Sequence, residues 1–174
     1  MATETKTDTK TTSRFANLIV YTTPQLIALV LLRILIGWHF LYEGITKVMN
    51  PNWSSASYLL ESKWIFSDFF LAIVANPTAL RIVDLLNEWG LIAIGAGLIA
   101  GAFTQIATIA GILLLFLYYI STPPLVGLSY TIPAEGSYLI VNKNLIEMAA
   151  LVVLALFPTG RIIGLDVFIF RRDK

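Results

Sequence analysis

The stretch that decides the fold reads Arg33-Ile-Leu-Ile-Gly37-Trp38-His39-Phe40-Leu-Tyr42-Glu43-Gly44-Ile-Thr46-Lys47. It belongs to an apolar, helix-like run, yet it carries an arginine, the only histidine of the chain, a glutamate and a lysine. At about 100° per residue, Arg33, Gly37, Phe40, Gly44 and Lys47 share one stripe, and His39 and Glu43 lie on its flank. A charge near the middle of a bilayer costs at least about 2.5–3.5 kcal/mol. We therefore expect this polar face to point at other helices or at a polar cavity.

The composition is that of an integral membrane protein. Apolar residues make up 57% of the 174 residues and charged residues only 13%, too few to cover a soluble domain. The net charge of +1 gives no reason to expect a nucleic-acid partner. With no cysteine and one histidine, the chain cannot by itself hold an iron–sulfur cluster, a cysteine zinc site or a bis-histidine haem. We expect no metal, haem or iron–sulfur cluster from this chain alone.

Four apolar runs predict an all-α fold, an integral membrane four-helix bundle with helices over about 24–49, 77–101, 104–122 and 139–157. Thr22 and Asn76 are candidate caps that precede first-turn prolines. A tight turn is expected near Thr104, because one helix over 77–122 would be about 68 Å long. Residues 50–76 mix serines with aromatic residues, which predicts an outer loop with one or two interfacial helical segments that covers the polar end of the first helix.

Polar segments flank this helical domain, which is predicted over residues 24–160. Residues 1–23 predict a polar cytoplasmic tail and residues 161–174 a basic cytoplasmic tail. Lysine and arginine are more frequent in these tails than in the predicted outer loops, so both termini are expected on the cytoplasmic side. In the second helix, Ala93, Gly97 and Gly101 recur every four residues and are expected to let a neighbouring backbone approach closely.

Ionisable side chains from three predicted helices fall toward the outer half of the bundle, and this convergence is the strongest indication of a site. They are His39, Glu43, Lys47, Glu88, Lys143 and Glu147. Structural roles compete with a ligand-binding role for each candidate. Arg33 could form an ion pair with Glu88 or Glu147, and His39 could simply bond a neighbouring helix.

Three further structural readings are open. Glu43 and Lys47 have the spacing of an intrahelical ion pair. Glu147 follows Asn144 by three residues, the pattern of a capping box at a helix start. Asp84 is interpreted as a solvated charge near the outer loop.

Several short motifs resemble the DoxX/DoxD family of membrane proteins. They are Leu32–Lys47 with Asn50-Pro51-Asn-Trp53, Glu88-Trp89-Gly90 with Gly95 and Gly101–Thr104, and Asn144 through Gly160-Arg161 with Leu165-Asp166. The resemblance covers about residues 25–166. It implies a four-helix protein of the prokaryotic plasma membrane, in some members the small subunit of thiosulfate:quinone oxidoreductase and in others a partner of redox or detoxifying enzymes.

From the polar cluster and the resemblance, we expect a membrane subunit of a quinone-linked oxidoreductase, with quinone as the bound cofactor. The expected catalytic residues are Arg33, His39, Glu43 and Glu88, and the expected cofactor-binding residues are Gly37, Trp38, Gly44, Lys47 and Glu147. His39 or Glu43 would protonate a quinone oxygen, Arg33 or Lys47 would stabilise negative charge on it, and Gly37 and Gly44 would leave room for a flat ring.

The alternative hypothesis is a non-catalytic membrane anchor or assembly subunit of a larger complex. Its charges would be structural pairs, and no cavity would lie beside His39. In either case the expected partners are the lipid bilayer and another membrane or extracytoplasmic subunit, with homo-oligomerisation also open. A carrier of protons or small solutes is less favoured, because no inverted repeat is visible in the sequence.

Overall fold

The computed structural model describes residues 21–131 and 139–170, and within these ranges it contains helices and no strand. The helices are α1 (Thr23–Met49), α2 (Ala56–Leu59), α3 (Ser67–Ala75), α4 (Pro77–Ala100), α5 (Thr104–Ser121), α6 (Lys143–Leu156), a 3-10 turn (Thr159–Arg161) and α7 (Asp166–Ile169). Residues 1–20 and 171–174 of the predicted tails lie outside the described residues. Helices α1, α4 and α5 and the segment Lys143–Arg161 are long and apolar enough to cross a membrane. The prediction of an all-α fold with four helical segments long and apolar enough to cross a membrane is thus confirmed.

Local capping explains why most helix boundaries agree with the prediction. The Thr22 N–H donates to the Gln25 side chain at 3.0 Å at the start of α1. The Asn76 side chain accepts from the N–H groups of Thr78 and Ala79 at 3.0 and 3.2 Å, just before Pro77. Helix α4 ends at Gly101, whose φ of 66° is the left-handed conformation that glycine adopts without strain. Each of these helix ends is therefore determined by residues that lie within a few positions of it in the chain.

The start of the last long helix corrects the sequence interpretation. Asn142 is the cap of α6, because its side chain accepts from the Leu145 N–H at 3.0 Å. The helix therefore begins at Lys143 rather than near residue 139, and the capping box predicted for Asn144 and Glu147 is wrong. Glu147 lies one turn inside the helix, where its carboxylate is free to face another helix.

The four long helices alternate in direction, so that the bundle has two distinct ends. The loop end carries residues 50–76 and the described parts of the second long connection, residues 122–131 and 139–142, and the turn end carries the Ala100–Thr104 turn together with residues 157–170. Between them lies an apolar core drawn from all four helices. The core consists of Ile36, Phe40, Leu91, Ile94, Leu98, Ala107, Leu115, Leu151 and Leu154.

Glycines let α1 and α4 pack with their backbones almost in contact. A Cβ added to Gly95 would lie 2.4 Å from the backbone nitrogen of Leu41, and one added to Gly44 would lie 2.8 Å from that of Ile92. At Gly37 an added Cβ would lie 2.9 Å from the Ile99 side chain. The expectation that Gly37 and Gly44 leave room for a ligand ring is therefore wrong, since α4 fills that space.

The small-residue repeat predicted in α4 is also revised. Ala93 is exposed, and a Cβ at Gly97 would meet Ala102 and Ala107 rather than α1. Among the glycines of α4, Gly95 is the one that packs directly on the α1 backbone. It lies between two members of the predicted repeat, so the spacing rule identified the right helix and the wrong face.

We expect Gly95→Ala to destabilise the bundle by about 1–3 kcal/mol, because the new methyl group meets backbone atoms that can move only if the two helices separate. Gly90→Ala is the matched control, since a Cβ at Gly90 meets nothing within 4 Å. In that control, the higher helix propensity of alanine should leave stability unchanged or raise it by up to about 1 kcal/mol. Thermal unfolding of both variants in detergent measures the difference, and equal melting temperatures would contradict the packing described here.

Candidate functional site

A cavity of about 860 Å³ occupies the loop-end half of the bundle. All four long helices contribute to its wall, together with residues of both long connections. Phe40, Leu91 and Leu115 belong both to the cavity wall and to the apolar core, so the core forms the floor of the cavity. The volume lies in the range of about 300–1,000 Å³ that is typical of small-molecule sites.

The His39–Glu147 couple joins two helices on the cavity wall. His39 comes from α1 and Glu147 from α6, and the imidazole Nδ1 lies 2.8 Å from the carboxylate Oε1. The histidine side chain is 43% exposed and the glutamate only 12%. Because Nδ1 is turned toward the carboxylate, Nε2 is the ring atom left to meet a ligand. A carboxylate in this position fixes the imidazole orientation and stabilises its protonated form.

A second ion pair lies on the same wall, closer to the loop end. The Lys47 ammonium is 3.0 Å from the Glu43 carboxylate, one helical turn away, which confirms the predicted intrahelical pair. Lys47 is also 5.5 Å from the centre of the Trp53 ring, so it combines an ion pair with a cation–π contact. Both residues of the pair face the cavity.

The first long connection covers the loop end of the cavity, as the sequence predicted, and a buried carboxylate anchors it. Asp84 of α4 accepts from the Ser55 N–H at 2.8 Å and from the hydroxyls of Ser54 and Ser55. Only 6% of Asp84 is exposed, so its interpretation as a solvated charge is wrong. The carboxylate instead holds Ser54 and Ser55 immediately before α2, and α2 extends over the cavity.

Tyr58 of α2 attaches this cover to the C-terminal end of α5 through hydrogen bonds. Its hydroxyl donates to the Tyr118 carbonyl at 3.1 Å and lies in hydrogen-bonding contact with the Thr122 hydroxyl. Burial raises the pKa of the Tyr58 phenol, which therefore remains a protonated donor at neutral pH.

The far edge of the cover is held by a group that we call the loop latch, formed by Glu61, Lys63, Ser129 and Thr131. The Glu61 carboxylate accepts from the Thr131 N–H at 3.2 Å and from its hydroxyl, and the Lys63 ammonium donates to the Ser129 carbonyl at 2.6 Å. These hydrogen bonds, together with Lys63, lower the pKa of Glu61. The latch is therefore complete at neutral pH, but it is exposed, so each of its bonds contributes little to stability.

The structure also shows a polar couple that the sequence analysis missed. The Tyr118 hydroxyl of α5 donates to the Asn87 side-chain oxygen of α4 at 2.8 Å, and both residues line the cavity. Asn87 is only 7% exposed. Ser121, one turn further along α5, is also buried at the cavity wall and its hydroxyl has no partner among the described residues. Spacing could have revealed them, because Asn87 follows Asp84 by three residues and Ser121 follows Tyr118 by three.

The cavity gathers four of the nine predicted site residues, namely His39, Glu43, Lys47 and Glu147. Arg33, Gly37, Trp38, Gly44 and Glu88 do not line it. Trp38 is 61% exposed on the outside of the bundle, beside Tyr42. The Glu88 side chain is half-buried and forms no hydrogen bond or ion pair with another described residue.

Arg33 lies at the turn end, far from the cavity, and the ion pair expected with Glu88 or Glu147 is not formed. Its guanidinium donates to the Thr159 hydroxyl at 3.1 Å and to the Ile163 carbonyl at 2.9 Å. The whole residue is only 4% exposed. Its hydrogen-bond partners lie more than one hundred residues away along the chain and carry no charge, so charge pairing could not have predicted them.

Asp166 completes a turn-end cluster, which we define as Arg33, Thr104, Thr159 and Asp166. The Asp166 carboxylate accepts from the N–H groups of Phe103 and Thr104 at 2.6 and 3.0 Å, and from the Thr104 hydroxyl. It thereby caps the N-terminus of α5 from a distant part of the chain, and it attracts Arg33 electrostatically. The hydrogen bonds of the cluster join α1, α5 and the C-terminal segment.

No metal-binding group of three or more histidine, aspartate or glutamate side chains is formed within residues 21–131 and 139–170. Neither protein-family models, nor curated proteins, nor solved structures give a match to this chain.

Proposed function

We propose that this chain is a multi-pass membrane protein whose cavity binds a quinone, and that it acts as the quinone-reactive subunit of a DoxX/DoxD-type oxidoreductase, similar to thiosulfate:quinone oxidoreductase. The observation that carries the proposal is the His39–Glu147 couple on the wall of a large cavity that is otherwise mainly apolar. A half-buried proton-holding couple beside a lipid-sized apolar space suits a lipid-soluble ligand whose oxygens take up protons.

The membrane setting is supported by the outer surface of the bundle. Large apolar side chains such as Ile27, Leu31, Ile82, Leu113 and Val152 are exposed on all four long helices or spans. A soluble monomer rarely exposes apolar surface on this scale, whereas a bilayer covers it. With the basic tails on the cytoplasmic side, the loop end and its cavity face the outer half of a prokaryotic plasma membrane.

The residues of the cavity fit the chemistry of a quinone. Reduction of a quinone to a quinol consumes two electrons and two protons. His39, protonated and held by Glu147, donates from Nε2 to an oxygen of the ring and is positioned to release one of the two protons there; solvent then reprotonates the imidazole, which supplies the second proton in the same way. Lys47 keeps positive charge on the same wall, and the apolar floor excludes water. The electrons come from a donor on a partner subunit, because this chain has no cysteine and only one histidine.

Fluorescence of Trp53 provides the test of binding, because this indole lines the cavity and quinones quench tryptophan emission. We expect decylubiquinone to quench purified protein in lipid nanodiscs with a saturable component that is lost in Trp53→Phe and kept in Trp38→Phe. His39→Phe should weaken the saturable component by roughly 10-fold to 100-fold, as expected for loss of a charge-assisted hydrogen bond. Quenching that rises only linearly with quinone, in every variant, would refute the proposal.

The turn-end cluster favours a second candidate, a non-catalytic anchor or assembly subunit. There, buried polar and charged groups serve to hold helices together, as that hypothesis expects. The same hypothesis also expects no cavity beside His39, whereas His39 does line a cavity. If the anchor role is correct, substitutions at His39 and Glu147 will change the stability of the protein or its co-purification with partners. Quinone will then bind neither the wild-type protein nor the variants.

A further inference from the structure

We infer that the cavity recognises a ring with a polar oxygen at each of two opposite ends, one end bound by the His39–Glu147 couple and the other by Asn87, which Tyr118 positions. This inference rests on the proposed function and narrows it. A ligand with two opposed carbonyls, such as a para-quinone, is favoured over one with a single polar head, such as a monoketone, a phenol or a fatty acid.

The first argument is the position of the two couples around the bundle. Helix α1 packs on α4 through the glycine contacts, and α5 packs on α6 at Gly111 and Leu151. The His39–Glu147 bond joins α1 to α6, whereas the Asn87–Tyr118 bond joins α4 to α5. The two couples therefore bridge the other two helix–helix interfaces, α1–α6 and α4–α5, which lie on opposite sides of the bundle. Both couples face the same cavity.

The second argument is their height above the cavity floor. A Cβ on Gly111 would lie 3.0 Å from Leu151, 3.4 Å from Phe40 and 3.5 Å from Ile94, so these residues share one level. Counted from that level toward the loop end at 1.5 Å per residue, Asn87 and Tyr118 are about 10 Å up, Glu147 is about 6 Å up, and the His39 backbone is about 1.5 Å below. The His39–Glu147 contact therefore lies about one to two helical turns below the Asn87–Tyr118 contact, and a ligand that binds both lies obliquely across the cavity.

The third argument is an unused donor. The Asn87 side chain forms one hydrogen bond to a described residue, in which its oxygen accepts from Tyr118. Its amide N–H groups have no partner among the described residues, although 93% of the residue is buried. Because Tyr118 holds the oxygen, the NH₂ is turned away from the phenol, and Asn87 lines the cavity. The amide nitrogen is not among the fully buried atoms without a partner, so it is accessible from the cavity, where a ligand oxygen can accept from it.

Asn87 is thus assigned as a contact to the ligand, and Tyr118 as a positioning residue that fixes the orientation of the amide. Leucine at position 87 keeps the approximate shape and removes the donor. Phenylalanine at position 118 keeps the ring and frees the amide to rotate. Ser57→Ala is the control, because Ser57 lines the cavity but is exposed and belongs to neither couple.

The test compares para-naphthoquinone, which has two carbonyls, with alpha-tetralone, which has one. Displacement of tritiated para-naphthoquinone by each unlabelled compound from protein in nanodiscs gives an affinity ratio. Comparing this ratio between variants cancels the partitioning of the probes into lipid. We expect wild-type protein and Ser57→Ala to prefer the quinone by about tenfold, as one additional hydrogen bond predicts. Asn87→Leu and His39→Phe should reduce the ratio to about one, and Tyr118→Phe should give an intermediate value.

Two outcomes separate this inference from the proposed function. Saturable binding of para-naphthoquinone with a ratio unchanged in folded Asn87→Leu and Tyr118→Phe would overturn the two-ended recognition and leave quinone binding intact. Absence of displaceable binding in wild-type protein would overturn both. If Asn87→Leu fails to fold, the ratio of Tyr118→Phe alone decides.

Discussion

Asp166→Ala is expected to destabilise the protein by about 3–5 kcal/mol, the largest effect of any single substitution proposed here. The change removes the acceptor for the Phe103 and Thr104 N–H groups at the start of α5, and it leaves Arg33 buried without its acidic neighbour. Each buried donor left without a partner costs about 1–3 kcal/mol. Thermal unfolding in detergent, followed by the fraction of protein that remains monodisperse, measures the loss.

Asp68→Ala is the control for this experiment, since Asp68 is an exposed aspartate on α3. It should leave the melting temperature unchanged. Combining Asp166→Ala with Arg33→Met should restore part of the lost stability, because the second change removes the uncompensated charge. Strict additivity of the two changes, or a melting temperature of Asp166→Ala equal to that of Asp68→Ala, would contradict a coupled turn-end cluster.

Glu147→Gln is expected to lower the turnover of quinone reduction by about 100-fold in the complex purified from native membranes, the typical contribution of one proton-transfer group. Glutamine keeps a hydrogen bond to His39 Nδ1 but cannot stabilise the charged imidazolium. The loss should therefore appear in kcat, with a much smaller change in KM. Steady-state assays with decylubiquinone over a range of concentrations separate the two constants.

Glu88→Gln is the matched control, because Glu88 was also a predicted catalytic residue but does not line the cavity. It should retain wild-type kcat and KM. A wild-type kcat in Glu147→Gln would remove His39 and Glu147 from proton transfer. A loss in Glu88→Gln equal to that in Glu147→Gln would place the reaction outside the cavity.

The fold was largely predictable because its signals are local. Thr22, Asn76 and Gly101 fix helix ends through contacts with residues next to them in the chain. The apolar runs between them have the length of a membrane span. The start of α6 was misplaced, because the apolar run begins near residue 139, before the cap Asn142, whose side chain accepts from the Leu145 N–H.

The site was predictable only where one helix face defines it. His39, Glu43 and Lys47 lie on one side of α1 and do line the cavity. The stripe on α1 that carries Lys47 also carries Arg33 and runs from one end of the bundle to the other. Helical periodicity therefore grouped Lys47, which lines the cavity, with Arg33, which belongs to the turn-end cluster. Charge was also a poor guide to partners, because Arg33 binds a hydroxyl and a carbonyl, and Asp84 binds two serines.

The position of Glu147 near the start of α6 has a consequence for the supply of protons. The 14 residues of α6 rise about 21 Å at 1.5 Å per residue, so the rest of the Lys143–Arg161 span is formed by Phe157, Pro158 and the 3-10 turn rather than by α-helix. Lys143 is the first residue of α6 at the loop end, and Glu147 lies only about 6 Å further along the helix axis. In a bilayer whose headgroups lie at the level of Lys143, the carboxylate that holds His39 would be close to the water that resupplies its protons.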